Sequence, residues 1–252
     1  MRLIPFLLSA AVTIGLVYAL NTRIGPAPAL GEFLSPQHGF WQNAEKTEYD
    51  FNEELSFPQL NGTASVYFDE RLVPHVVADN DADAYFIQGY LHAKFRLWQM
   101  EFSTHAAAGR ISEIIGERAI NFDKEQRRIG MVFAAENMLK EMEANEFTKL
   151  SVDNYTKGIN AYIETLSKSA LPIEYKILGY QPEKWTNLKT ALFIKQMTKT
   201  LAFSVDDLPL TALKKVFSDD EIEVLFAQRA LAGGEVAERE MRSARELLDA
   251  VV

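Results

Sequence analysis

Phe86-Ile-Gln-Gly-Tyr90-Leu-His-Ala-Lys-Phe95-Arg-Leu-Trp-Gln-Met100-Glu-Phe102-Ser-Thr-His-Ala-Ala-Ala-Gly109-Arg-Ile-Ser-Glu-Ile-Ile-Gly116 is the stretch on which the fold turns. Phe86, Tyr90, Ala93, Leu97 and Met100 recur at alternating steps of four and three, which is one face of a helix. Leu91, Phe95, Trp98 and Phe102 repeat the same rhythm and fall on the roughly opposite face. A helix apolar on two opposite faces belongs between layers, so a large fold is expected around it. Between the stripes runs a polar strip of Gln88, His92, Arg96 and Gln99. Polar groups enclosed in a fold must be hydrogen-bonded. The strip is therefore expected to be structural: Arg96 paired with a buried carboxylate, His92 a satisfied core histidine and Gln99 bonded beside them.

Upstream, Ala64 to Asp69 and His75 to Ala78 are short β-rich runs joined by Glu70-Arg71-Leu72-Val73, which predicts a hairpin. Asp79, Asn80 and Asp81 offer an N-cap to the long helix. Downstream the chain reads as helical. Met131 to Met142 and Val152 to Leu166 carry helical spacing, and Leu171-Pro172 and Gly179-Tyr180-Gln181-Pro182 bracket a short helix. Thr186 caps a helix running toward Phe203, and Ser218-Asp219-Asp220-Glu221 is a capping box.

Composition narrows the function. The formal net charge of -9 argues against nucleic acid, which selects a basic face. With no cysteine, disulfides, thiolate catalysis and cysteine-ligated zinc are excluded. Arg2 precedes an apolar run from Leu3 to Leu20, followed by Asn21-Thr22-Arg23. That run is long for a signal-peptide core and just long enough to cross a bilayer. It reads as an export signal, either a retained anchor in the membrane or a signal peptide cut after Val17-Tyr18-Ala19. Four segments result: residues 1–21 as anchor or signal peptide, 22–59 as a Pro- and Gly-rich arm that docks on the folded part through Phe40-Trp41, 60–231 as the folded region, and 232–252 as a charged helical tail or spacer.

Several of these motifs resemble one family. Val66-Tyr67-Phe68-Asp69, Val73-Pro74-His75-Val76-Val77-Ala78, Gly89-Tyr90-Leu91-His92-Ala93, Arg96-Leu97-Trp98-Gln99-Met100-Glu101 and Gly109 to Gly116 are similar in order and spacing to the start of the penicillin acylases. The likeness runs on through Leu178-Gly179-Tyr180-Gln181-Pro182-Glu183-Lys184-Trp185-Thr186 and spans roughly Leu60 to Phe226. Penicillin acylases are N-terminal nucleophile hydrolases, made as precursors that cut themselves into a smaller α chain and a larger β chain. The resemblance implies an α+β fold, mostly helical in this portion, forming the α-chain part of an αββα sandwich that a β chain completes.

It also implies a division of labour. The nucleophilic serine stands at the N-terminus of the β chain and uses its own α-amine as base, which removes the need for a His–Asp pair. This sequence has no Gly-Ser-Asn junction, so no catalytic residue is expected in it. The parent would be an exported, periplasmic amidohydrolase acting on a small N-acyl substrate, such as a β-lactam side chain or an acyl-homoserine lactone. The contrasting expectation is a truncated, inactive, membrane-anchored remnant that at most binds.

By family position, Leu201 and Phe203 line the acyl pocket, although helical apolar positions are core by default. Asp206 and Asp207 stand where the family takes a structural calcium ligand; an N-cap before Leu208-Pro209 is the alternative.

Overall fold

The computed structural model describes residues 3–23, 28–44, 51–202 and 213–225. These fall into two compact units, residues 1–199 and 200–252.

The first unit is organised on one helix. The hairpin pairs β1 (Ala64–Phe68) with β2 (Pro74–Ala78), antiparallel and in register from Ala64 opposite Ala78 to Phe68 opposite Pro74. The turn needs Leu72 at φ 60°, and Asp69 Oδ1 holds it by accepting from the Arg71 and Val73 N–H groups, each at 2.9 Å. After β2, Asn80 caps the long helix by accepting from the Asp83 N–H at 2.9 Å. Counting the anchor-like helix Leu3–Asn21 as α1 and the short Leu30–Phe33 as α2, the long helix is α3, Asp81–Ala108. It bends at Arg96, where φ is -142° and ψ is 15°. It ends at Gly109, whose φ of 64° is the left-handed cap that glycine favours.

Then follow α4 (Ser112–Ile115), α5 (Ile120–Ile129), α6 (Met131–Ala144), α7 (Glu146–Thr165), α8 (Ile173–Leu178) and α9 (Asn187–Ala202). Helices α6, α8 and α9 lie where periodicity and Gly/Pro punctuation place them, and α7 starts six residues earlier than the expected Val152.

The first apolar stripe of α3 forms the core. Phe86, Tyr90 and Leu91 pack under the hairpin and against Ala161. Ala93, Leu97 and Met100 pack with Ile159, Leu171, Tyr175 and Trp185. Ala107 joins Met131, Ala135, Ala191 and Leu192 where α6 and α9 cover its end. The crossing of α3 and α7 is so close that two glycines are required. A Cβ on Gly89 would lie 2.1 Å from the Tyr155 carbonyl oxygen, and one on Gly158 would lie 1.9 Å from that of Phe86. Trp185 is fixed through Asn160, whose Oδ1 accepts from its N–H at 2.8 Å and whose Nδ2 donates to its carbonyl at 3.0 Å.

The second stripe departs from expectation. Leu91 is buried, but Trp98 and Phe102 are half-buried, stacked on each other at 5.0 Å, and Phe95 is 44% exposed. Among the described residues the second layer is thus incomplete.

The arm docks, though not through its tryptophan. Trp41 is 57% exposed. Near Trp41 the contact is instead Lys176 Nζ, which donates to the Gly39 carbonyl, Asn43 Oδ1 and the Ser169 carbonyl, while Asn43 Nδ2 donates to the Leu171 carbonyl at 2.8 Å. Further along, Phe57 packs on Phe86 and Tyr90. Burial holds the Lys176 pKa below the usual lysine range.

In the second unit the expected capping box forms ahead of α10 (Asp219–Leu225). The Ser218 N–H donates to Glu221 Oε2 at 2.9 Å, and the Glu221 N–H reaches Ser218 Oγ at 3.4 Å. The 232–252 tail lies outside the described residues.

Candidate functional site

Among the described residues three carboxylates are buried in this fold, Asp83, Asp123 and Glu101. The first two accept from backbone N–H groups of Asn61, Gly62, Ile111 and Ser112, and Glu101 is the one paired with a buried cation. The residue sits one step beyond Met100 on α3 and its side chain is 1% exposed. A buried carboxylate survives only if its oxygens are satisfied. Glu101 Oε2 accepts from the Tyr175 hydroxyl at 2.6 Å. Its Oε1 accepts from the Glu183 backbone N–H at 2.7 Å and from Lys189 Nζ at 3.2 Å. Lys189, whose side chain is also largely enclosed, meets Glu183 Oε2 at 3.0 Å. Helices α3, α8 and α9 and the Pro182-Glu183-Lys184-Trp185 segment are thereby tied to one side chain. Burial, with the charge of Glu101 adding to it, pushes the Tyr175 phenol far above its ordinary pKa and keeps it a donor.

A second tier surrounds Glu183. Arg110, placed by the Gly109 cap, puts Nη2 2.7 Å from Glu183 Oε1 and 2.6 Å from Glu113 Oε2. His105 is 3% exposed. Its Nδ1 lies 3.0 Å from the Glu101 carbonyl, an acceptor, so Nδ1 carries the hydrogen and Nε2 faces Glu183 Oε1 at 3.7 Å. Hydrogen bonding to Arg110, reinforced by Lys189, outweighs desolvation and holds the Glu183 carboxyl down at about 2. Folded Glu183 thus titrates below its ordinary 4.5, so its contribution is complete above that value and lost as pH falls through it toward 2. Glu183→Gln is expected to flatten the acid limb of the stability curve in that window; an unchanged acid limb by urea denaturation at stepped pH would refute this.

The cluster is a latch more than a reactive centre. The ligand atoms of His105, Glu113 and Glu183 lie within 4.8 Å of one another. Yet Arg110 forks across both carboxylates and Lys189 occupies Glu183 as well. A metal ion would have to displace two cations, so the donor set does not fit one. Nor do three of the histidines meet a hydroxyl nucleophile. His75 faces Asp69 at 3.4 Å, His92 bonds the Tyr155 phenol at 2.9 Å, and His105 is spent as above.

The polar strip is where sequence reasoning and structure part. His92, Arg96 and Gln99 are exposed, and among the described residues Arg96 makes no ion pair. The expected buried guanidinium is therefore corrected: the buried pair on this helix is Glu101–Lys189. The reason is coverage. Helix α7 lies on the first stripe and reaches the strip only at His92, through the Tyr155 hydroxyl, so the strip stays exposed and Arg96 is left in water.

At the far end of α9, Leu201 is 77% exposed. Ile194 and Met197, seven and four residues before it, are 37% and 48% exposed. Leu201 is thus not core within the described residues. Phe203, Asp206 and Asp207 lie outside them.

Comparison with known proteins agrees with this framework. Residues 63–239 match the family model described as penicillin amidase. Penicillin acylase 2 proenzyme of Pseudomonas sp. (strain SE83) is 37% identical over 131 residues, 52% of this chain and 16% of that protein. Penicillin G acylase of Escherichia coli is 25% identical over 178 residues, 68% of this chain and 21% of the relative. Acyl-homoserine lactone acylase QuiP of Pseudomonas aeruginosa is 32% identical over 139 residues, 54% and 16% respectively. The chain therefore spans a quarter or less of the length of these curated relatives. A solved thermostable penicillin G acylase from Alcaligenes faecalis aligns with a TM-score of 0.51 at 23% identity, covering 74% of this chain and 91% of that one. The mostly helical fold is accordingly that of an N-terminal nucleophile hydrolase portion, and the family model covers well over half of the sequence. The chain belongs to the penicillin amidase family.

Proposed function

We propose that this chain is the scaffold half of an exported amidohydrolase that cleaves a linear, non-peptide amide, with the nucleophilic serine carried by a separate, larger chain. The uncovered apolar edge of α9, Ile194, Met197 and Leu201, carries the reading. Met197 and Leu201 lie in the segment, residues 197–204, that the family resemblance assigns to the acyl pocket, and Ile194 extends the edge by one turn. An apolar wall selects an arylacetyl or fatty acyl group by burying it, at about 25 cal/mol per Å2. Leu201 and Phe203 are the assigned contacts, and the half-covered stripe of Phe95, Trp98 and Phe102 receives part of the partner chain. The near-complete coverage of one penicillin G acylase chain, against a fifth of the full-length relatives, supports a two-chain enzyme. So does the word proenzyme in the name of one relative.

In the proposed reaction the serine oxygen attacks the amide carbonyl and gives its proton to the serine's own amine. The amine product leaves with that proton, and water then hydrolyses the acyl ester. This chain contributes shape and desolvation, while the Glu101 latch fixes α9, on which the pocket wall stands. Asp206 and Asp207 are the assigned α-chain ligands for a structural calcium, whose remaining oxygens would come from the partner, since two carboxylates do not fill its shell. Helix α1 would hold the assembly to the membrane on its exported side.

Leu201→Ala tests the pocket assignment. In the assembled enzyme it is expected to leave chain assembly intact and to change the ratio of kcat/KM between phenylacetyl and longer acyl amides about tenfold, the scale of a few methylenes in an apolar pocket. An unchanged ratio would remove Leu201 from the pocket.

A further inference from the structure

The end of α1 carries a feature that amide hydrolysis does not use. No residue of α1 is buried, and the helix has a mean hydropathy of 2.2. Its last turn packs against α2: a Cβ on Gly31 would lie 3.2 Å from the Leu20 carbonyl oxygen. Directly below lies a cavity of about 280 Å3, whose charged lining is Arg23, Glu32, Lys168 and Lys176.

Three cations face one carboxylate there, in a chain whose formal net charge is -9. Glu32 is engaged by Lys168 at 3.4 Å. Arg23 meets no carboxylate among the described residues. All three Lys176 donors go to uncharged oxygens, so its hydrogen bonds do not neutralise its charge. The cavity thus keeps a positive field beside the end of the apolar helix α1. Such a field favours anionic lipid, by roughly fivefold for each lysine or arginine near the surface.

We infer that this cavity seats the phosphate head group of an anionic phospholipid from the bilayer that α1 enters. The inference rests on the retention of α1 as an anchor. Lysine 168 and Arg23 contact the phosphate, and Lys176 acts through its field while it clamps the arm. Seating the lipid would set the orientation of the folded unit against the membrane.

The test uses the full chain in nanodiscs of phosphatidylcholine containing a minority of phosphatidylglycerol, with the retained lipid identified by native mass spectrometry. Phosphatidylglycerol is expected on the protein at least about fivefold above its share of the disc. Arg23→Gln combined with Lys168→Gln should abolish that enrichment, and Lys140→Gln, outside the cavity, should preserve it. Retention in proportion to disc composition would overturn the inference, as would enrichment that survives the double variant. Loss of the enrichment in millimolar inorganic phosphate would reassign the cavity to a free anion and also overturn it. A chain recovered without residues 1–19 would instead defeat the anchor reading on which the inference stands.

Discussion

Glu101→Ala is expected to lower the stability of this chain by about 3–5 kcal/mol, the cost of removing one partner from a buried charge pair. The change strands three donors at once: the Tyr175 hydroxyl, the Glu183 N–H and the Lys189 ammonium, whose side chain is 9% exposed. Glu183 still neutralises Lys189 at 3.0 Å, but it lies on the solvent side and is itself shared with Arg110. With a domain stability of only about 5–15 kcal/mol available, a loss of this size leaves much of the chain unfolded under mild denaturation. Glu101→Gln keeps a carbonyl acceptor and the shape while losing the charge, and should cost less. The check is the urea midpoint by circular dichroism for both variants. Equal midpoints for Glu101→Ala and the natural chain would show that the latch contributes nothing.

Gly158→Ala is the second large effect, and its cause is steric. The added methyl would sit 1.9 Å from the Phe86 carbonyl oxygen and 2.8 Å from the Tyr90 nitrogen. Both are backbone atoms of α3, so no side chain can rotate away and the helices must separate. Overpacking in a close-packed core costs about 1–3 kcal/mol, and a backbone clash this short belongs at or above the upper end. The separation would open the cluster of Phe86, Tyr90 and Ala161 beneath the hairpin. Phe133→Ala, at a position 70% exposed on α6, is the control and should change stability by less than about 0.5 kcal/mol. A Gly158→Ala variant as stable as that control would mean that α3 and α7 pack less closely than described.

These two sites mark what the sequence could and could not convey. The helices were legible because apolar residues at helical period, with Asn80 and Ser218 as end signals, are local information. The hairpin was legible for the same reason. The Glu101 latch was not, because its partners Tyr175 and Lys189 lie 74 and 88 residues away, and spacing cannot pair groups at that distance. Its one local signal was a glutamate beside the apolar stripe of a core helix. Periodicity also identifies faces without saying what covers them. It therefore buried the strip of His92, Arg96 and Gln99, which stands in water. Of the pocket residues, only the exposed position of Leu201 bears on the assignment, since Phe203 lies outside the described residues.

The division of labour between two chains is tested most directly by amide hydrolysis, measured as release of phenylacetate from a chromogenic phenylacetyl amide. The purified 252-residue chain is expected to give no rate above buffer, and co-expression with the serine-bearing chain is expected to give turnover. Turnover by this chain alone would contradict the scaffold role and would require a nucleophile among its own residues.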